Sequence, residues 1–183
     1  FNPSVIDLLM SGLVLAAFAL LGVGWLIRRD WPETMQRLKL EPMQRKHWFW
    51  SLGLVILFVM VEILVSVLWS LLDPASYDFV SEATEGLLGG IDSIWLGVAL
   101  GLATGVGEEI LFRGAVQPRF GLILTSLAFA FGHLQYGLSP ALIQVFFMSI
   151  ILGLTRRRAN TTTCMVVHMF YNLTLVLIAN LAA

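Results

Sequence analysis

The composition of this 183-residue chain is that of a protein embedded in lipid. Hydrophobic residues make up 58% of it and charged residues only 13%, whereas soluble domains carry about 25% charged residues. This excludes a soluble globular domain, and the formal net charge of −1 is uninformative because the charges are sorted along the chain. We expect a single integral membrane domain over residues 1–183, with membrane lipids as partners and no nucleic acid.

The first apolar stretch covers residues 4–27. About 20 apolar residues cross a bilayer, so it is predicted to be a membrane helix. Arg28 and Arg29 follow the stretch, whereas the basic residues of a cleaved signal peptide would precede it. This favours a retained helix, and residues 30–47 are predicted to form a polar loop behind it.

A second membrane helix is predicted over residues 48–72, with Glu62 near its middle. We interpret Glu62 as a hydrogen-bonding partner of a neighbouring helix, and Gln144 and Tyr171 in the same way. The following segment, 73–92, holds five acidic residues and no Lys or Arg. Its apolar residues fall near one face, which predicts a short amphipathic helix at the membrane surface.

Four further membrane helices are predicted in the second half of the chain, so the fold class is an all-α polytopic membrane helix bundle with about six transmembrane helices. Small residues at 99, 101, 103 and 105 are spaced four apart in two rows, which lets a neighbouring helix approach closely. The predicted helices cover residues 94–116, 121–134, 141–154 and 162–181.

The basic residues predict the orientation of this bundle. All eleven Lys and Arg residues lie in or near the segments 28–47, 117–120 and 155–161, and the segments 73–92 and 135–140 have none. Positive residues gather on the cytoplasmic side of a membrane. The basic loops are therefore predicted to be cytoplasmic, in the cell membrane of a bacterium or an archaeon.

Charged residues inside the third predicted helix carry the functional signal. A charged side chain at mid-bilayer costs roughly 2.5–3.5 kcal/mol on insertion scales, so Glu108, Glu109 and Arg113 need partners or water. Residues four apart share a helix face, so Glu109 and Arg113 are predicted to form an ion pair. Glu108 points about 100° away and is left for chemistry.

Two other predicted helices supply imidazoles and a carboxamide. His133 lies in the short fourth helix, and His168 and Asn172 share one face of the last helix. Their depths in the bilayer overlap with that of Glu108 once helix tilt is allowed for. We expect these four side chains to meet in one hydrated cavity in the inner half of the membrane, because each is costly in lipid.

The three motifs, Glu108-Glu109-xxx-Arg113, Phe129-xxx-His133 and His168-xxx-Asn172, resemble those of the CPBP family. That family is also called Abi and includes the CAAX prenyl endopeptidases. The resemblance covers about residues 94–181, which would be the catalytic core, and implies an intramembrane metallo-endopeptidase that cleaves peptide bonds in or near the membrane. It implies catalytic roles for Glu108, His133, His168 and Asn172, with Glu109 and Arg113 supporting them; Phe129 is interpreted as packing.

The residue chemistry is consistent with that assignment. Glu108 suits a general base, and Asn172 suits a hydrogen-bond donor to an oxyanion. His133, His168 and Glu108 also form a ligand pattern for catalytic zinc with an open position. Either Glu109 or Asn172 would then fix an imidazole through its second nitrogen. The residues do not decide between a metal-bound and a metal-free water.

Two other functions fit the same residues. One is a non-catalytic membrane scaffold that holds partner subunits of a larger complex, and the other is a proton or ion pathway through Glu62, Glu108 and the imidazoles. If the chain is a peptidase, prenylated C-terminal peptides, other short peptides and membrane proteins all remain possible substrates.

Overall fold

The computed structural model describes residues 4–88 and 94–182, and every regular element in these two ranges is a helix. An all-α fold is thereby confirmed. In chain order the elements are α1 (Val5–Gly22), α2 (Trp31–Leu38), α3 (Arg45–Leu72), α4 (Pro74–Leu88), α5 (Ile94–Leu102), two π-helical segments (Ala103–Glu108 and Ile110–Val116), α6 (Gln117–Phe131), a 3-10 turn (Leu134–Tyr136), α7 (Pro140–Arg158) and α8 (Thr161–Ala182).

Five helical stretches in the described residues are long and apolar enough to cross a membrane. One of them, Ile94–Phe131, has 38 residues, far more than the roughly 20 that span a bilayer. Its backbone is non-helical at Gly121, where φ is 80° and ψ is 177°, a region that glycine adopts readily. The stretch therefore consists of two arms, which correspond to the third and fourth predicted helices. The prediction of about six transmembrane helices is confirmed.

The predicted polar loop 30–47 contains a helix, α2, so the loop prediction was wrong there. The Asp30 side chain accepts a hydrogen bond from the Glu33 N–H (2.9 Å), and the Glu33 side chain accepts one from the Asp30 N–H (3.1 Å). This reciprocal capping box satisfies two backbone donors that a helix start would otherwise leave unpaired. The helix ends at Lys39, which adopts a left-handed conformation with φ of 56°.

The first membrane helix ends at Gly22, five residues before its predicted end. The chain turns at Gly24, whose φ is +94° and whose carbonyl accepts hydrogen bonds from the backbone N–H groups of Arg28 and Arg29, both at 3.0 Å. A helix is also confirmed in the acidic segment 73–92, where α4 covers Pro74–Leu88; residues 89–92 of that prediction lie outside the described residues.

We call α5 and the two π-helical segments that follow it the central helix. Its small residues allow two neighbouring helices to approach at backbone distance, as predicted. A Cβ atom on Gly105 would lie 2.8 Å from the backbone nitrogen of Met169 in α8, and one on Gly107 would lie 2.7 Å from the carbonyl oxygen of Gly12 in α1. Both glycines are therefore required by close packing. The helix that carries the Glu-Glu motif is clamped between α1 and α8.

The Glu62 side chain joins three helices. Its Oε2 atom accepts hydrogen bonds from the Gln144 side-chain amide of α7 (2.6 Å) and from the Tyr171 hydroxyl of α8 (2.8 Å). The Tyr171 ring packs edge to face on Phe58, with 5.9 Å between ring centroids. The interpretation of these polar residues as interhelical contacts is confirmed.

The three basic segments meet at one end of the bundle. Lys39 Nζ donates to the carbonyl oxygens of Arg156 and Arg157 at 3.0 and 3.3 Å. Arg37 donates to the carbonyl of Gly114 at 3.2 Å. Charges that are far apart in the chain are thus on one face of the molecule, which is the sorting that the sequence predicts; which side of the membrane this end faces stays a prediction.

Candidate active site

The Glu-Glu motif lies where the central helix is wound as a π-helix. Glu108 is the last residue of the first π-helical segment, and Glu109 joins it to the second, which contains Arg113. A π-helix, with hydrogen bonds from i to i+5, is rare and is frequently found at functional sites. The sequence predicts an ordinary α-helix here, because apolar periodicity carries no signal for this winding.

Glu109 is at the centre of a buried charge cluster. Its Oε2 atom lies 3.0 Å from the Nε of Arg113, and neither side chain is exposed, so the predicted ion pair is present. The other carboxylate oxygen lies 3.0 Å from Nδ1 of His168. Glu109 thereby supplies the predicted fixing contact to an imidazole, and it shares its negative charge between a guanidinium and that ring.

Phe129 packs among the charged and imidazole groups. The Arg113 guanidinium carbon lies 4.7 Å from its ring centroid, a cation–π distance. The His133 ring stacks on it at 4.7 Å and the His168 ring lies at 6.0 Å. On its other side Phe112 meets it edge to face at 5.0 Å. The interpretation of Phe129 as packing is confirmed, and this packing sets the spacing of both imidazoles.

Glu108 and His133 face each other across a short gap. Glu108 Oε2 lies 3.9 Å from His133 Nε2, and the two side chains are 16% and 19% exposed. Within the described residues, Glu108 Oε2 has no hydrogen-bond partner, and 3.9 Å is too long for a direct hydrogen bond. His133 Nδ1 lies 2.9 Å from the carbonyl oxygen of Phe129. That contact requires a proton on Nδ1, so a neutral ring presents the Nε2 lone pair to the carboxylate.

Asn172 is held by a residue that the sequence analysis missed. Its amide nitrogen donates to Thr104 Oγ1 at 2.8 Å, and the Thr104 hydroxyl donates to the carbonyl of Leu100 at 2.8 Å. Thr104 stands four residues before Glu108, and that spacing was the available signal. The structure thus places Glu108 against His133 and Glu109 against His168, and it ties Asn172 to the preceding turn of the central helix.

Part of the chain that contains these residues matches a known protein family. Residues 90–174 match the family model described as type II CAAX prenyl endopeptidase Rce1-like. Over these residues, a little under half of the chain, it is similar to that family, and we call residues 90–174 the Rce1-like segment. The resemblance to the CAAX prenyl endopeptidases is confirmed, and all six predicted site residues lie inside the Rce1-like segment. No curated protein and no solved structure matches the chain.

The Rce1-like segment was also expected to hold zinc through His133, His168 and Glu108. Among the described residues, no three His, Cys, Asp or Glu side chains are grouped so that they could hold a metal ion. In this arrangement His133, His168 and Glu108 are not grouped as the three ligands of a zinc site, although Nδ1 of each imidazole is bonded elsewhere and Nε2 is left for a ligand. Zinc stays a prediction.

Tyr136 is a further neighbour of the Rce1-like site that the sequence analysis missed. It lies in the 3-10 turn after α6, and its ring stacks on His133 with 6.3 Å between centroids and 17° between planes. Burial raises the pKa of the Tyr136 phenol, and the nearby carboxylates of Glu62 and Glu108 raise it further. The phenol therefore stays protonated at neutral pH and can donate a hydrogen bond.

Proposed function

We propose that this protein is an intramembrane endopeptidase in which Glu108 and His133 activate the attacking water. The observation that carries the proposal is the 3.9 Å gap between Glu108 Oε2 and His133 Nε2, with both side chains partly exposed. A water at about 2.8 Å from each atom can bridge such a gap, off the line that joins them. The adjacent Glu109 is fully buried and paired, so Glu108 is the carboxylate that can accept a proton.

The proposed reaction needs one proton to move twice. Glu108 Oε2 takes a proton from the bridging water while the water oxygen forms a bond to the substrate carbonyl carbon. The resulting tetrahedral oxyanion then collapses, the carbon–nitrogen bond breaks, and Glu108 returns its proton to the leaving amine. His133 Nε2 accepts the second hydrogen bond of the water, which fixes the direction of attack.

The other predicted residues have positioning and stabilising roles in this proposal. A carboxamide nitrogen has two N–H donors, and Asn172 gives one to Thr104, so the second is left for the oxyanion. Glu109 fixes the His168 ring through Nδ1, which leaves Nε2 as the ring atom for the substrate. Arg113 neutralises Glu109, so that the buried carboxylate does not repel the charge on Glu108.

A cleavage assay tests the proposal. Purified protein is incubated with pairs of prenylated and unprenylated C-terminal peptides and with membrane-protein segments, and mass spectrometry identifies the fragments. We expect fragments from the native protein and none from Glu108→Ala. Equal cleavage by both proteins would overturn the assignment of the base. Uncleaved peptides together with a stably co-purified partner would favour the scaffold function. A chelator tests zinc in the same assay: loss of cleavage that zinc restores would require a metal-bound water.

We also propose that the basic end of the bundle faces the cytoplasm. Cys164 is buried, and Cys164→Ser provides a background for single-cysteine labelling. In intact cells, Ser81→Cys is expected to react with an impermeant thiol reagent added outside, and Gln44→Cys only after the cells are opened. Outside labelling at position 44 without labelling at position 81 would reverse the proposed orientation.

A further inference from the structure

Three arginines line a surface pocket where α1 leaves the membrane span. The pocket has a volume of about 550 Å³ and is lined by Arg28, Arg29, Glu33, Gln36 and Arg37. The one carboxylate in the lining, that of Glu33, already accepts a hydrogen bond from the backbone N–H of Asp30 in the capping box of α2. Three positive charges thus share the pocket with a single negative charge that is engaged elsewhere.

Hydrogen bonds to backbone carbonyls hold two of the three arginines in place, and the third lies close over the backbone at Gly24. The side chain of Arg28 lies so close over Gly24 that a Cβ there would come within 2.7 Å of its Cγ and Nε atoms. The Arg29 guanidinium donates to the carbonyl of Val23, and that of Arg37 donates to the carbonyl of Gly114 at 3.2 Å. A guanidinium carries five N–H donors. Each bonded group therefore keeps further donors for a ligand, at little additional cost in side-chain entropy.

The like charges near the pocket are poorly compensated. Burial lowers the pKa of the Arg37 guanidinium, and the positive charges of Arg29 and Arg119 lower it further. Repulsion of this kind costs free energy in the unliganded protein, and an anion that binds there relieves it. A group with several oxygen acceptors, such as phosphate, suits an array of guanidinium donors.

The position of the pocket indicates where such a group would come from. The membrane-spanning α1 ends at Gly22, and the next residues include Trp25, whose ring packs on that of Trp31 at 5.4 Å. The Trp31 side chain is half exposed. Tryptophans of this kind lie at the level of lipid headgroups, so we expect the three arginines at the depth of the lipid phosphates.

We propose that Arg28, Arg29 and Arg37 form a phosphate-binding site, filled at the membrane surface by the headgroup of an anionic phospholipid. The two sources of this chemistry are a headgroup and free phosphate. A juxtamembrane basic residue contributes roughly fivefold to binding of an anionic surface, so removal of two arginines is expected to lower lipid retention by roughly 25-fold.

Native mass spectrometry of the intact protein tests the site. The protein is released from mixed micelles of phosphatidylglycerol and phosphatidylcholine, and bound lipids are counted for the native chain, for Arg28→Gln/Arg37→Gln, and for the control Arg157→Gln/Arg158→Gln. The control residues are exposed, lie at the same end of the bundle and do not line the pocket. Phosphatidylglycerol is expected on the native chain and on the control, and to be lost from the pocket variant.

Two further measurements decide between the remaining outcomes. Inorganic phosphate is added before release to identify the source. If it displaces the lipid, free phosphate is the preferred occupant of the site; if the lipid is retained, the headgroup is. If the double variant does not fold, as judged by circular dichroism, the single variant Arg28→Gln replaces it, because that side chain is exposed. Equal retention of phosphatidylglycerol by a folded pocket variant and the native chain, or equal loss in the control, would overturn the proposal.

Discussion

Two carboxylates within the membrane-spanning helices, Glu62 and Glu108, have opposite surroundings. The Glu62 Oε2 atom accepts two hydrogen bonds, from Gln144 and Tyr171, at 2.6 and 2.8 Å. The Glu108 Oε2 atom accepts none from the described residues, and an imidazole nitrogen faces it at 3.9 Å. The same type of side chain, in two helices that both pack on α8, is saturated at one site and open at the other.

The hydrogen bonds that a carboxylate already accepts separate a structural polar residue from a reactive one in this membrane protein. A buried polar group without a partner costs about 1–3 kcal/mol, so it persists only where water or a substrate completes its bonding. Glu62 stabilises the packing of three helices and has no acceptor capacity to spare on Oε2. Glu108 keeps that capacity, and the neighbouring Glu109 takes up the positive charge of Arg113 that would otherwise bind it.

The largest expected effect comes from exchanging the open carboxylate for an amide. Glu108→Gln should lower peptidase turnover by about 10²–10⁴-fold, the usual contribution of a general base, and leave the melting temperature close to that of the native protein. Turnover of a cleaved library peptide and thermal melting in detergent are measured on the same preparation.

Glu62→Gln is the matched control, since it makes the same chemical change in the saturated cluster. It should retain turnover and lower the melting temperature instead. If Glu62→Gln abolishes turnover and Glu108→Gln does not, the two clusters have been assigned the wrong way round, and a pathway through Glu62 becomes the better account.

The next largest effect concerns the charge cluster that keeps Glu108 open. Arg113→Ala removes the partner of a carboxylate that is not exposed at all, and breaking such a buried pair costs about 3–5 kcal/mol of unfolding free energy. Chemical denaturation in detergent, followed by circular dichroism, measures the loss. Arg119→Ala, at an exposed position six residues further on, should change stability little; a similar loss in both variants would mean that the ion pair contributes nothing specific.

A smaller effect is expected from a methyl group at the helix crossing. Gly105→Ala puts a Cβ 2.7 Å from the Cβ of Met169 and 2.8 Å from its backbone nitrogen, so α8 has to move away. Overpacking of this kind costs about 1–3 kcal/mol, and turnover should fall as well because His168 moves with α8. Gly53→Ala is the control: nothing lies within 4 Å of its added methyl group, and it should be neutral or stabilising by up to about 1 kcal/mol.

The smallest effect tests the saturated cluster alone. Tyr171→Phe removes one hydrogen bond to Glu62 and keeps the ring that packs on Phe58. Interhelical hydrogen bonds in membranes average about 0.6 kcal/mol, so the melting temperature should decrease slightly and turnover should not change. A large loss of turnover in Tyr171→Phe would show that the Glu62 cluster takes part in the reaction.

The sequence predicted the parts of the site that follow from residue spacing. Residues i and i+4 meet on one helix face, and this places Glu109 against Arg113 without knowledge of any other helix. The expectation that Glu109 or Asn172 would fix an imidazole was also correct for Glu109 and His168. The cost of isolated charges in lipid was sufficient to predict that polar groups on different helices pair.

The features that the sequence analysis missed depend on backbone conformation or on a partner in another helix. The start of α2 was readable, since Asp30 and Glu33 have the spacing of a capping box, but the basic residues nearby favoured a loop. The π-helical winding around Glu108 leaves no mark on apolar periodicity. The bond from Asn172 to Thr104 depends on how α8 is rotated against the central helix, which packing decides.

The π-helical winding makes the motif sensitive to chain length as well as to residue identity. A π-helical turn contains one residue more than an α-helical turn, so the removal of one residue between Ala103 and Gly107 would let the backbone relax towards the commoner winding. Each residue of an α-helix advances the side chains by about 100°. Such a deletion would keep every motif letter in order, but Glu108 would still face His133 only if the π winding were lost at the same time. A gap in an alignment at this point would therefore mark a change of winding.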